Sequence, residues 1–363
     1  MCLYKMEFYK LIHKKIVFIG MISVIGIILL FFWFVEIGEE FASVDGKTYI
    51  GYEAVRMNRK ITEEFAGRIT NDKIDQIVDK YGVPSKIVEG LPEWGNGNYL
   101  NAFVARYFTN GSFERGIVPT ERYPLEKSEL RQVSGPYKNA PTLAYTKGWK
   151  VFVEVFHFAL MLGSVLIICG VSGVFADEGT TKMMPLIFTT KEGRRKELIA
   201  KIAAAFTLTI LILIGIIVLD LLLCNAVYGL GGFHNITGIV LSDHPDWLLY
   251  QQKFSDYFGI TLMLGVQGLL SLCSITLCVS AWYNRSFSAV VVASVVWVSP
   301  ILLRIFFSGL ISFFTYATPI FLVMNGMLED MYSFWYIVVI ISLLLGTGCL
   351  LSGYRKYKTK SAS

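Results

Sequence analysis

Leu198-Ile-Ala-Lys-Ile-Ala-Ala-Ala-Phe-Thr-Leu-Thr-Ile-Leu-Ile-Leu-Ile-Gly-Ile-Ile-Val-Leu-Asp-Leu-Leu-Leu-Cys-Asn-Ala-Val-Tyr228 carries only two charges, Lys201 and Asp220. About 20 apolar residues suffice to cross roughly 30 Å of hydrocarbon as a helix, so this run reads as a membrane span with residues to spare. Five further stretches read the same way: 16–35, 151–176, 258–283, 287–307 and 334–351, the last short enough to extend back through Tyr332. The composition agrees, with 54% hydrophobic and only 17% charged residues and a mean hydropathy of +0.54. Soluble domains carry about 25% charged residues. The expected fold is therefore an all-α membrane protein of six transmembrane helices.

Lys and Arg in short segments set orientation. If the N-terminus is inside, the inner segments hold Lys5, Lys10, Lys14, Lys15, Lys182, Lys191, Arg194, Arg195, Lys196, Lys201, Arg285, Arg355, Lys356, Lys358 and Lys360, which is 15 residues. The two short outer loops then hold Lys253 alone. Both ends are expected inside, and the formal charge of +5 is a topology signal, with nothing in it for nucleic acid. Residues 1–15 read as a cytoplasmic interfacial helix, with Leu3, Phe8, Leu11 and Ile12 on one face and lysines reaching for lipid phosphates. Span one, 16–35, ends in Phe31-Phe32-Trp33-Phe34 without a small-residue cleavage site, so it reads as a retained anchor. An α-rich extracellular domain is expected over 36–150, a five-span bundle over 151–351 and a basic cytoplasmic tail over 352–363. Within the outer domain, Ile61, Phe65, Ile69 and then Ile74, Ile77, Val78, Tyr81 predict two consecutive helices broken near Thr70-Asn71, while Tyr99–Phe108 is ambiguous. The stretch 308–333 is too apolar for a water-exposed loop and reads as an outer re-entrant hairpin.

Between spans two and three runs a short charged segment, 177–197. It opens Asp177-Glu178-Gly179-Thr180, passes Thr189-Thr190 and turns at Gly193-Arg194-Arg195 toward Lys201. A generic positive-inside loop accounts for the arginines but not for the paired acids. The pattern resembles the first cytoplasmic loop of type-2 ATP-binding-cassette exporter permeases, with Met183-Met184-Pro185 where that family is leucine-rich. The resemblance implies that Asp177, Glu178, Gly179, Thr180, Gly193, Arg194 and Arg195 couple to the ATPase, Thr180 being a good residue to open a short helix. It also implies a separate ATP-binding subunit, a second permease subunit as homo- or heterodimer, and an amphipathic cargo (peptide, lipid or drug-like) moved outward across a bacterial plasma membrane. A membrane-anchored extracellular sensor or binding protein is the alternative from another class.

No catalytic set is expected in this chain. Gly46-Lys47-Thr48 ends like a phosphate-binding loop, but the position of its leading glycine is Phe41. Gly170-Val171-Ser172-Gly173 matches an intramembrane protease pattern, yet the one intramembrane histidine, His157, stands fifteen residues away in the same helix, or roughly 22 Å. Packing of small residues explains the match more simply. The histidines and the six cysteines show no metal-ligand spacing, and no cysteine lies in 36–150. No cofactor is expected. Charges inside spans are costly and default to functional candidates. Glu154, His157, Asp220, Arg304 and Gln267 form an expected outer-leaflet polar cluster, in which Asp220 and Arg304 stand at matched depth as a candidate ion pair.

Topology is directly measurable. Cysteines placed singly at Lys5, Lys86, Lys127 and Lys358, in a background without the native ones, should react with an impermeant thiol reagent on intact cells only at positions 86 and 127. Labelling of the two terminal sites would overturn the assignment.

Overall fold

A computed structural model describes residues 3–82, 97–110, 122–130, 141–180, 193–241, 252–307, 309–324, 328 and 332–359. The chain is mostly helical, and six of its helices are long and apolar enough to cross a membrane: Lys15–Ile37, Lys147–Glu178, Arg195–Val227, Phe254–Trp282, Ser286–Phe306 and Tyr332–Thr359. Several outrun the expected spans because charged residues join the helix ends. Span six takes in Arg355, Lys356 and Lys358, which the sequence had assigned to a tail. By contact the chain divides into two compact units. One gathers Met1–Ile28, Phe156–Leu219 and Ile260–Ser363, the other Leu29–Val155 and Asp220–Gly259.

The first unit begins with α1 (Leu3–Ile12) and the start of α2 (Lys15–Phe31). Helix α1 docks through Glu7 and Leu11, with the Tyr4 hydroxyl donating to Thr207 at 2.9 Å. The expected apolar face is thus only partly used, since Leu11 is buried but Leu3 stays exposed. The remaining helices here are most of α6 (Lys147–Val171), α7 (Gly173–Thr180), most of α8 (Gly193–Val227), most of α10 (Phe254–Trp282), α11 (Ser286–Phe306) and α14 (Trp335–Thr359). Within 308–333 the described residues form two short helices, α12 (Leu310–Thr315) and α13 (Pro319–Met324). The second folds back on span four, where a Cβ at Gly268 would stand 2.9 Å from Val323.

The second unit holds a small hairpin of β1 (Phe41–Val44) and β2 (Lys47–Ile50), paired Phe41 to Ile50. Its turn is Asp45-Gly46, both with positive φ (53° and 71°), the geometry a two-residue Asp-Gly hairpin requires. Gly46-Lys47-Thr48 is therefore a β-turn running into a strand. Helices α3 (Tyr52–Glu64) and α4 (Asn71–Tyr81) follow, the second capped by Thr70 and closed at Gly82. The ambiguous run becomes α5 (Tyr99–Tyr107), because Asn98 and Asn101 make a reciprocal capping box at its start. A two-residue pairing joins β3 (Gly67–Arg68) to β4 (Thr142–Leu143).

Ile61, Ile74, Ile77, Leu100 and Val104 form a core that Ile236 and Ile239 complete. These last two flank or lie on α9 (Thr237–Leu241), every residue of which is buried. Tyr107 donates its hydroxyl to the Gly238 carbonyl. Asn235 exchanges hydrogen bonds with Thr142, its amide donating to the carbonyl at 2.8 Å and its oxygen accepting from the hydroxyl at 2.8 Å. The segment after span three, expected from sequence to be a short outer loop, is thus part of a core, with Asn235 5% exposed. Burial also raises the pKa of the Tyr99 hydroxyl, which stays neutral and donates to the Ala144 carbonyl at 3.0 Å.

Two glycines of this unit meet backbone to backbone. A Cβ at Gly148 would lie 2.2 Å from the Gly229 carbonyl oxygen, and Gly229 itself has φ +74°. Gly148→Ala should push the start of α6 off this turn, and Gly229→Ala should cost about 1–2 kcal/mol for its left-handed backbone alone. Both should lower the melting temperature of the detergent-solubilised protein, while Gly215→Ala, with open space around it, should not. Equal behaviour of all three would refute the contact.

Candidate functional site: a charged knot at Asp177 and Glu178

Helix α7 starts where α6 breaks. Ser172 turns its hydroxyl back onto the Ile168 carbonyl, and the first N–H groups of α7 need acceptors. Ser280 of span four provides them, accepting from Phe175 at 3.0 Å and Ala176 at 3.2 Å and donating to the Ser172 carbonyl at 2.7 Å. The helix therefore begins at Gly173, and Gly179 and Thr180 lie at its end. The expectation that Thr180 opens a helix is corrected: it lies in a helix that already begins at Gly173 and is the last residue described before 181–192. The Ser172 hydroxyl is occupied by its own helix, and a Cβ at Gly173 would stand 2.5 Å from the Asp177 carboxylate and 2.7 Å from Lys14 Nζ. The Gly-Val-Ser-Gly stretch is thereby a helix break and a close contact.

From α7 the two acids diverge, as neighbours about 100° apart on a helix must. Asp177 accepts from Lys14 Nζ at 2.8 Å and from the Ser286 hydroxyl at the start of α11. Glu178 pairs with Lys201 of α8 and accepts from the Tyr357 hydroxyl of α14, whose ring lies 4.7 Å from that of Phe175. Lys201 also pairs with Glu197 at 3.1 Å, and Glu7 with Lys10 at 2.6 Å. Lys10, Lys14, Asp177, Glu178, Glu197 and Lys201 border a cleft of about 510 Å³. Lys201 is 2% exposed, which an ammonium tolerates only with counter-charges at hand.

Of the residues expected to couple, Asp177 and Glu178 thus turn toward other helices of the same unit. Gly193 and Arg194 begin α8, where Arg195 is exposed, and 181–192 lies outside the described residues. Lys14, Lys201, Ser280, Ser286 and Tyr357 were not singled out as site residues. Lys201 alone had a signal, a lysine inside an apolar run.

The outer-leaflet candidates have local surroundings of their own. Gln267 donates to Ser342 at 3.2 Å. Arg304 donates to the Tyr316 hydroxyl and lies over the rings of Tyr316 (4.3 Å) and Phe321 (5.1 Å), tying span five to the short helices after it. Glu154 pairs loosely with Lys150 at 3.9 Å. His157 Nε2 and both carboxylate oxygens of Asp220 are buried without a hydrogen-bond partner among the described residues. No group of three His, Cys, Asp or Glu among the described residues could hold a metal ion.

Removing one partner of a buried ion pair typically costs about 3–5 kcal/mol, because the other charge is left unpaired. Lys201→Met should therefore lower the melting temperature of the solubilised protein markedly, and adding Glu178→Gln should recover part of the loss. An unchanged melting temperature in Lys201→Met would show that the pair does not hold the helices.

Comparison with protein-family models, with curated proteins and with solved structures finds no match to this chain.

Proposed function

We propose that this chain is the membrane subunit of an ATP-binding-cassette exporter in a bacterial plasma membrane. On this reading it spans the bilayer six times with both ends in the cytoplasm. It moves an amphipathic substrate outward, beside a second permease subunit, on ATP hydrolysed by a separate protein. The observation that carries the reading is the knot. The acids opening the charged segment between spans two and three are tied to Lys14, Lys201, Ser286 and Tyr357, which belong to the ends of spans one, three, five and six. A push on such a segment would reach four other spans through short charge-assisted contacts. The basic asymmetry of the short loops and the resemblance of 177–197 support the same reading. Arg195, exposed at the start of α8, and Arg194 beside it are the residues for a partner's acids, while Asp177 and Glu178 transmit.

The second unit, with a core of its own, favours one other reading, in which that unit binds a ligand and the spans only anchor and signal. One experiment separates the two. The tagged chain is purified from its own cells in mild detergent and examined for a bound subunit with Walker motifs and for ATP turnover. The exporter reading expects both, and expects R194E/R195E to insert normally yet lose most of the substrate-stimulated turnover. Efflux and turnover at full level in R194E/R195E would remove the coupling role. Absence of any ATPase subunit from the intact complex would favour the anchored binding protein.

A further inference from the structure

Spans four and six run side by side along a narrow seam. Gln267 meets Ser342 at 3.2 Å, and a Cβ at Gly346 would lie 3.5 Å from the Ser271 Cα. A Cβ at Gly353 would stand only 2.8 Å from the Cys278 Cα, so a side chain there would force the helices apart. The opposite face of span six is exposed. There Leu344, Gly348, Ser352, Arg355 and Thr359 follow one another at intervals of three or four, which makes them one helical stripe.

Along this stripe the chemistry changes once. Leu344, and Leu351 beside the stripe, are 66% and 58% exposed, as suits a surface facing lipid tails. A Cβ at Gly348 would meet nothing within 4 Å, so the helix surface dips between them. Past Gly348 come Ser352, Arg355 and Lys356, which with Trp282 at the end of span four border a cleft of about 500 Å³. Its described lining holds two cations and no acid. The Lys356 ammonium sits 4.8 Å over the Trp282 ring, and a ring face attracts an ammonium without neutralising it. Cations also complement the carbonyl end of a helix. Here, however, the Thr359 hydroxyl already donates to the Arg355 and Lys356 carbonyls, at 3.0 and 3.1 Å. A helix-end role also gives no reason for a dip at Gly348.

We propose that this cleft binds one anionic phospholipid. Its phosphate pairs with Arg355 and Lys356, and one acyl chain lies in the dip at Gly348 and runs on along Leu344. From Arg355 back to Leu344 the helix covers roughly 16 Å at 1.5 Å per residue, about half of the 30 Å hydrocarbon thickness and so the depth of one leaflet. Trp282 marks the upper edge of that leaflet, as aromatic residues at a membrane interface do. A basic cleft between span ends is suited to an acidic headgroup, and the apolar stripe below it selects a headgroup that carries tails over a free anion. If the ends of these spans face the cytoplasm, as proposed above, the lipid comes from the inner leaflet. The binding itself does not depend on the transport reading.

The full-length protein, stripped of lipid in mild detergent, is titrated with phosphatidylglycerol or with phosphatidylcholine carrying the same acyl chains, and bound lipid is counted by native mass spectrometry. The first phosphatidylglycerol should bind several-fold more tightly than phosphatidylcholine. R355Q/K356Q should remove that preference and R355K/K356R should keep it, at melting temperatures matching the unsubstituted chain. G348L keeps both charges and fills only open space, yet should weaken phosphatidylglycerol several-fold. Inorganic phosphate and glycerophosphate, which lack tails, should not compete at millimolar concentration. Equal binding of the two lipids, or a preference that survives in R355Q/K356Q, would overturn the proposal. Unchanged binding in G348L would show a charged surface without an acyl groove and overturn it too. Competition by inorganic phosphate would replace the lipid with a soluble anion. The presence or absence of an ATPase subunit bears on none of these outcomes.

Discussion

A carboxylate drawn out of water needs partners, and much of the first unit's arrangement at one helix end follows from that. It holds for Glu178, which is largely buried, and for Asp177 beside it, which is partly so. Glu178 and Asp177 sit on one short helix and diverge by the helical angle, so their counter-charges must come from different directions. Lys14 and Ser286 answer one, Lys201 and Tyr357 the other. Desolvating an ammonium such as Lys201 costs several kcal/mol unless its counter-charges are already in place. The arrangement therefore fixes position more than it adds net stability. The orientation of α7 is set by these contacts together with the Ser280 cap.

The cap deserves equal weight in the physics. A helix that begins inside a protein leaves N–H groups that water cannot reach. Ser280 meets two of them and the preceding carbonyl as well. One hydroxyl on span four thus decides where the acid pair begins its turn, and so which neighbours each acid can meet. Moving the helix start by one residue would rotate both carboxylates by about 100° and break the ion pairs of Asp177 with Lys14 and of Glu178 with Lys201.

In the second unit the constraint is closure of an apolar core. The helices of 52–81 and 99–107 present isoleucine and leucine faces that need a lid. Ile236 and Ile239 provide part of it, held by the Asn235–Thr142 and Tyr107–Gly238 hydrogen bonds. The connection after span three is hence a structural element of that unit. Its Asn235 side chain and Gly238 carbonyl find partners 93 and 131 residues away in the chain.

The sequence by itself determined the features that depend on local pattern. Six apolar runs gave six helices, since hydrocarbon length and internal backbone hydrogen bonding leave a spanning segment little choice. Ile74, Ile77, Val78 and Tyr81 marked α4. Of Ile61, Phe65 and Ile69, only Ile61 lies in α3, because that helix ends at Glu64 and Gly67–Arg68 pair with Thr142–Leu143 instead. The Asp45-Gly46 turn is equally legible by its residue type, Asp-Gly being the pair that a two-residue hairpin turn favours. What only the tertiary structure decided depends on pairing across distance. No spacing links Lys14 to Asp177, Tyr357 to Glu178, or Ile239 to Leu100, and nothing in Gly353 alone says that Cys278 lies against it. Hydropathy records which residues avoid water. The partner that satisfies a buried charge or hydroxyl is chosen by how helices pack, and that choice leaves no periodic trace along the chain.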